Sequence, residues 1–170
     1  MLKTGRQGIA AKAGHDLTIE VTGWSAQVEV PDEETGGVTA ATVSAEFDLG
    51  SLEVREGTGG AKPLSDRDRG EIKKTIRGIL GDGAAAFTSS RIVRFGAGGG
   101  AIEGTLTLNG KSEPVRVQVS EPGPGRYRGT ATVVQSAHGI KPYVGFFGAL
   151  KLKDEVGVEF DVTVPTAESA

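Results

Sequence analysis

Apolar and polar residues alternate with a period of two through most of this chain, the mark of strands with one greasy face. Leu17, Ile19 and Val21 share one parity, while Trp24, Ala26, Val28 and Val30 share the opposite one. The flip falls at Thr22-Gly23, as a two-residue hairpin or a bulge would require. Ala41, Val43, Ala45, Phe47 and Leu49 alternate with Thr42, Ser44, Glu46 and Asp48. Ile102, Gly104, Leu106 and Leu108 continue the pattern up to Asn109-Gly110, a strong type I′ hairpin signal. Val115, Val117 and Val119 follow, with Pro114 near the strand start, where a missing donor is tolerated. "RYRGTATVVQS" and "VGVEFDVTV" each predict another strand, and with "GRQGIAAKA" and "AAFTSSRIVRF" the series reaches about eight.

One segment breaks the period. In "PLSDRDRGEIKKTIRGILGDG" the residues Ile72, Ile76, Ile79 and Leu80 recur at helical spacing among charges, which predicts an amphipathic helix over about 65–80. Ser65 suits the N-cap, Asp66 and Asp68 complement the positive end of the helix dipole, and Gly81 supplies a stop. Gly70 and Gly78 weaken the helix, so packing on the open end or flank of a sheet must hold it.

Composition narrows the classes. A length of 170 residues is one domain by prior, expected over 1–166 with a frayed tail at 167–170. The 19 basic and 22 acidic residues nearly balance, and no block of like charge marks a nucleic-acid footprint. With no Cys there is no disulfide framework, no thiol nucleophile and no cysteine-type zinc site. "MLKTGRQGIAAKAGHDLTIE" lacks an apolar h-region, and no run approaches the roughly 20 apolar residues that span a bilayer. A cytoplasmic location and no integral membrane segment are therefore expected. Gly, 27 of 170, stands at about twice its usual share. Beside strong alternation, that predicts a chain that bends sharply and often.

Candidate chemistry is sparse. His15 and His138 are the only histidines, and neither has the spacing of a catalytic arrangement. Asp16 follows His15 directly, but neighbours in a strand point to opposite faces, so they make no obvious dyad. For His15 the readings are a satisfied structural imidazole, a ligand contact or a general base; for His138, a loop anchor or a head-group contact. Two histidines so far apart without Cys make no credible metal site. Asp32-Glu33-Glu34 fits a solvated loop, and "GAGGGA" at 96–101 lacks the Lys-Ser/Thr tail and helix of a phosphate loop, so it predicts a hairpin turn. "SAHGIKPYVGFFGALKLKDEV" sets Tyr143, Phe146 and Phe147 in a glycine-rich connection, either to plug a core or to rim an apolar entrance. Small residues on the predicted inner face (Ala41, Val43, Ala45, Gly104, Gly129 and Ala131) would leave a barrel lumen open, unless a helix or another sheet fills it.

The stretches "GHDLTIEVTGW", "FTSSRI", "GTLTLNGKSEPVRVQV" and "SAHGIKPYVGFFGALKLKDEVGVEFDVTV" resemble the YceI-like family over nearly the whole chain. The most specific elements are Gly104 to Thr107 followed by Gly110, the His138 to Pro142 turn, and Asp154-Glu155-Val156 leading the last strand. Ser51-Leu52 and Arg67-Asp68 match more loosely. These relatives are lipocalin-like proteins that bind polyisoprenoids and other amphiphilic lipids, many of them periplasmic or secreted. The resemblance implies a mainly β protein: an eight-stranded antiparallel lipocalin-like barrel, one helix packed against it, and a tunnel for an isoprenoid or acyl tail. It implies a non-enzymatic binding, transport or storage protein for a long-chain isoprenoid, quinone or fatty amphiphile, with no cofactor beyond that lipid. Phe47, Phe87, Leu106, Leu108, Phe146 and Phe147 would form the lumen wall or mouth. His15, Trp24, His138 and Tyr143 are the head-group candidates. An enzyme acting on a lipid inside the barrel and an interaction module with a filled core are the alternatives; the expected partner is the amphiphilic lipid, with a homodimer left open.

Overall fold

In the computed structural model, which describes residues 1–96 and 98–165, the alternation becomes thirteen strands and one α-helix among the described residues. β1 (Leu2–Lys3), β2 (Arg6–Gln7), β3 (His15–Val21), β4 (Trp24–Glu29), β5 (Thr42–Asp48) and β6 (Leu52–Gly59) precede the helix α1 (Asp66–Leu80). After it come β7 (Ala84–Gly96), β8 (Gly99–Leu108), β9 (Lys111–Gly123) and β10 (Arg126–Val134). β11 (Val144–Gly145), β12 (Leu150–Leu152) and β13 (Glu155–Thr163) complete the order. The frayed tail expected at 167–170 lies outside the described residues.

Ten strands form one antiparallel sheet in the order β4-β5-β7-β8-β9-β10-β13-β1-β3-β6, curled into a half-barrel. Ten strands stand where eight are expected, partly because β3 and β4, and likewise β5 and β6, are long strands bent at a shared corner. There the Asp48 N–H donates to the Gly23 carbonyl at 2.8 Å, and the Gly23 N–H and the Thr22 hydroxyl donate to the Ser51 side chain and carbonyl, each at 2.8 Å. Thr22-Gly23 is thus no hairpin, because β3 pairs with β1 and β6 while β4 pairs with β5. The parity flip marks the bend.

"GRQGIAAKA" does not add a barrel strand. Only Arg6–Gln7 is extended, in a separate three-stranded sheet ordered β11-β12-β2, and Ala11–Ala13 is a turn of 3-10 helix. Between them Gly8 has φ +101°, and a Cβ there would lie 2.3 Å from the Ala149 carbonyl oxygen. Only glycine fits this close approach to the start of β12.

Directly paired residues project to the same side of a sheet, so the register carries one face around the curl. Ala45 pairs with Phe87 and Phe87 with Leu106. Gly104 pairs with Val115 and Ile102 with Val117. Val119 meets Gly129, Gly129 meets Phe160, and Ala131 meets Val158. Leu2 joins Val158 to Ile19, which pairs with Val54. This is the concave face.

The helix lies on it. Ile72, Ile76 and Leu80, with Leu64, pack against buried Ile19, Leu52 and Val54, so α1 covers the β3–β6 side of the trough. Ser65 caps it as expected: its hydroxyl accepts from the Asp68 N–H at 3.2 Å, and the Asp68 carboxylate accepts from the Ser65 N–H at 2.9 Å. Gly81, at φ +71°, ends it.

Candidate functional site

Among the described residues, α1 packs on β6 and the β5–β6 corner and does not extend over the rest of the concave face. Trp24 and Val28 of β4 are 51% and 49% exposed. Val43, Ala45 and Phe47 of β5, Phe87 of β7, and Leu106 and Leu108 of β8 are all only half-buried. The same half-exposure continues through Val115, Val117 and Val119 and across Val133, Val156 and Val158. Polar neighbours such as Thr42, Ser44, Glu46 and Asp48 take the outer parity and are exposed. The molecule therefore carries 10,644 Å² of accessible surface, where a compact monomer of its mass would carry roughly 7,900 Å².

The structure brings five of the predicted site residues together on this wall. Trp24 pairs with Phe47 and Phe47 with Ala85, making one cross-strand row. Ala45, Phe87 and Leu106 make the next, which ends on Glu113 of β9. Leu108 pairs with Lys111 across the Asn109-Gly110 turn. Glu113 and Lys111 are wall positions that the sequence reading missed. Extending the Val115–Val119 alternation back by two and four residues would have found both.

The small-residue lumen needs correction. A Cβ on Gly104 would lie 2.5 Å from the Phe87 ring, and one on Gly129 would lie 2.2 Å from the Phe160 ring. Each glycine is the seat of an aromatic ring from the neighbouring strand, not an opening.

His138 is 1% exposed in the 3-10 turn Ser136–His138 that follows β10. Asp154 pins this turn, accepting from the Ser136 N–H at 2.7 Å and from its hydroxyl. His138 Nε2 lies 3.3 Å from the Leu106 carbonyl oxygen, and the Asn109 side chain donates to the His138 carbonyl at 3.0 Å. Facing a carbonyl, Nε2 is the donor of that pair. The His138 Nδ1 is buried and has no hydrogen-bond partner among the described residues. His15 sits elsewhere. Its Nε2 lies 2.6 Å from the Lys62 carbonyl oxygen, and its ring occupies the space beside Gly60, tying β3 to the connection before α1.

Tyr143, Phe146 and Phe147 also come together, but on the small sheet rather than on the wall. Tyr143 immediately precedes β11, and Phe146 and Phe147 form the tight turn between β11 and β12. All three are exposed, Phe147 completely. The small sheet joins the barrel through the short β1–β2 and β12–β13 connectors, where the Lys153 N–H donates to the Gly5 carbonyl at 2.9 Å. On the outer face of the barrel, Arg126 and Arg128 both donate to Asp161, and these bonds hold its carboxyl well below the usual carboxylate range. Among the described residues no helix is long and apolar enough to cross a membrane.

A family model described as YceI-like domain matches residues 3–164. Among solved structures, BcnA of Burkholderia cenocepacia superposes with a TM-score of 0.61 at 19% identity, covering 96% of each chain. The Campylobacter jejuni YCEI protein, which crystallizes with large solvent channels, gives a TM-score of 0.56 at 11% identity over 89% of this chain and 85% of that one. A mutant of that protein carrying a monobromobimane guest gives 0.59 at 10% identity over the same shares. At these identities the likeness concerns the fold. Comparison with curated proteins finds no match.

Proposed function

This chain belongs to the YceI-like family, known as a lipid- and polyisoprenoid-binding fold and not as an enzymatic one, and from that premise we propose that it is a non-enzymatic carrier or store for a long-chain isoprenoid, quinone or fatty amphiphile. The observation that carries the reading is the concave wall from β4 to β9, apolar in parity yet only half-buried. Contiguous apolar surface of this extent on a folded chain marks a binding site. An apolar tail lying along it would gain roughly 25 cal/mol for each Å² removed from water, less the cost of ordering the tail.

The helix covers the β3–β6 side, and the Phe160 ring seated on Gly129 occupies the β10–β13 side. We therefore assign the tail to the Trp24–Phe47 and Phe87–Leu106 rows. At the Leu106–Leu108 end the paired polar wall positions are Glu113 and Lys111. A carboxylate beside an ammonium suits a ligand whose head both donates and accepts hydrogen bonds, such as an alcohol or an amide.

Protein purified from its native host should show a mass excess by native mass spectrometry that solvent extraction removes. A single bare mass, with no uptake of added long-chain isoprenol or fatty amide, would overturn the carrier reading in favour of a filled interaction module. Turnover of the added lipid that vanishes on replacing His15 would favour an enzyme.

A further inference from the structure

Phe146 and Phe147 occupy the left-handed region of backbone space, at φ +49° and +53°. Two consecutive bulky residues there are strained, and such strain persists only where something holds it. Yet Phe147 is completely exposed and Phe146 60% exposed, so the strained turn serves no contact of their rings within the fold. Across a groove of about 580 Å³ floored by Gly8, Gly148 and Ala149 stands Ile9, 97% exposed. Ile9 and Phe147 are thus two apolar prongs on neighbouring turns. Tyr143 and Val144 add further exposed apolar surface to the same sheet.

The charge around them is one-sided. Residues 1–14 and 137–153, which build this sheet, contain Lys3, Arg6, Lys12, Lys141, Lys151 and Lys153 and no Asp or Glu, in a chain whose net charge is −3. Arg6 is paired with Asp16 at 3.3 Å, whereas Lys12, Lys141 and Lys151 are exposed. Apolar and aromatic side chains projecting from segments whose own charges are all cationic fit the interface of a bilayer with anionic head groups: the rings enter the acyl boundary and the lysines meet phosphates. A protein partner would need a complementary shape, whereas a fluid surface needs only prongs and charge.

We propose that the β2–β11–β12 sheet docks this protein on anionic membranes, with Ile9, Phe146 and Phe147 inserted. The inference goes beyond lipid binding on the barrel wall and stands without it, because the two surfaces share no residue.

Co-sedimentation with vesicles tests it, using equal parts phosphatidylglycerol and phosphatidylcholine against phosphatidylcholine alone. The intact chain should bind the anionic vesicles roughly ten-fold or more tightly, and added salt should weaken that binding. Ile9→Ser with Phe147→Asn should abolish sedimentation without lowering the melting temperature, since both side chains are exposed and Asn tolerates the left-handed turn. Lys12→Glu with Lys151→Glu should remove the preference for anionic lipid. The proposal is overturned if the intact chain ignores both vesicles, or if the Ile9/Phe147 double variant still sediments like it. Self-association of the intact chain that the same double variant disperses, without vesicle binding, would assign the face to a second copy and overturn it equally. Leu106→Trp, which alters only the wall, should dock normally; docking without lipid uptake by the intact chain would contradict the carrier reading alone.

Discussion

The two halves of the trough are written in the same alternating code and end in opposite states. On the β3–β6 side Ile19, Leu52 and Val54 are 4%, 3% and 8% exposed, because α1 lies over them. On the β4–β5–β7–β8 side Trp24 and Val28 stand about half-exposed, and Phe47, Phe87 and Leu106 are only partly covered. Strand periodicity decides which face is apolar. What covers that face is decided by the one amphipathic helix, and it reaches only one side. The uncovered side is the candidate site because its pattern matches a core that the chain itself does not complete.

Truncation should separate the halves most sharply. Ile19→Ala or Leu52→Ala should cost about 2–5 kcal/mol, the range for a large aliphatic side chain lost from a packed core. Phe47→Ala, on the half-buried wall, should cost about 1–2 kcal/mol while weakening lipid uptake more than either core change. Urea unfolding beside a lipid-loading assay checks both; equal stability losses on the two sides would erase the distinction.

Filling the wall should be gentler on stability and harsher on binding. Leu106→Trp adds bulk beside Phe87 and Glu113, so the protein should stay folded and lose lipid uptake. A filled interior would instead be overpacked and destabilised by about 1–3 kcal/mol or more. Thr107→Trp is the control, because the Thr107 hydroxyl bonds to Ser112 at 2.7 Å on the outer face. Its uptake should be nearly intact.

The smallest expected effect lies on the outside. Asp161, bonded by Arg126 and Arg128, and Glu53, bonded by Lys73, are both held below their ordinary carboxylate values. A depressed carboxyl stabilises the fold fully above its unfolded value of about 4 and loses that contribution as pH falls through the folded value. The urea midpoint should therefore feel these pairs only below about pH 4 to 5, and Asp161→Asn should flatten that acid limb slightly, since the site is exposed and screened. An unchanged acid limb would remove Asp161 from the account.

Much of this was legible in the residues. The Val43–Ala45–Phe47 parity, the Asn109-Gly110 turn and the Ile72–Ile76–Leu80 stripe behind Ser65 each belong to local patterns long enough to carry a period. The family resemblance of the quoted stretches agrees with the fold found. Less legible were features that depend on which strands meet. Two-residue strands such as Arg6–Gln7 and Val144–Gly145 have no period, so the second sheet is invisible until Gly8 is seen against Ala149. Gly104 and Gly129 look like openings in one dimension, and only the cross-strand register brings Phe87 and Phe160 over them. The exposed Phe146–Phe147 turn is likewise a matter of backbone angles that composition does not reveal.

Trp24 offers the most direct measurement of the central claim. It is the chain's single tryptophan, it stands about half-exposed, and it pairs with Phe47 on the uncovered wall. Titrating lipid-free protein with a long-chain isoprenol while following Trp24 emission and its quenching by acrylamide reports whether a tail covers that wall. The account predicts a saturable blue shift with loss of quenching, both absent in Leu106→Trp when read against its own added indole by the same titration. Saturable uptake of the lipid with Trp24 emission and quenching unchanged would contradict it, because the tail would then lie elsewhere.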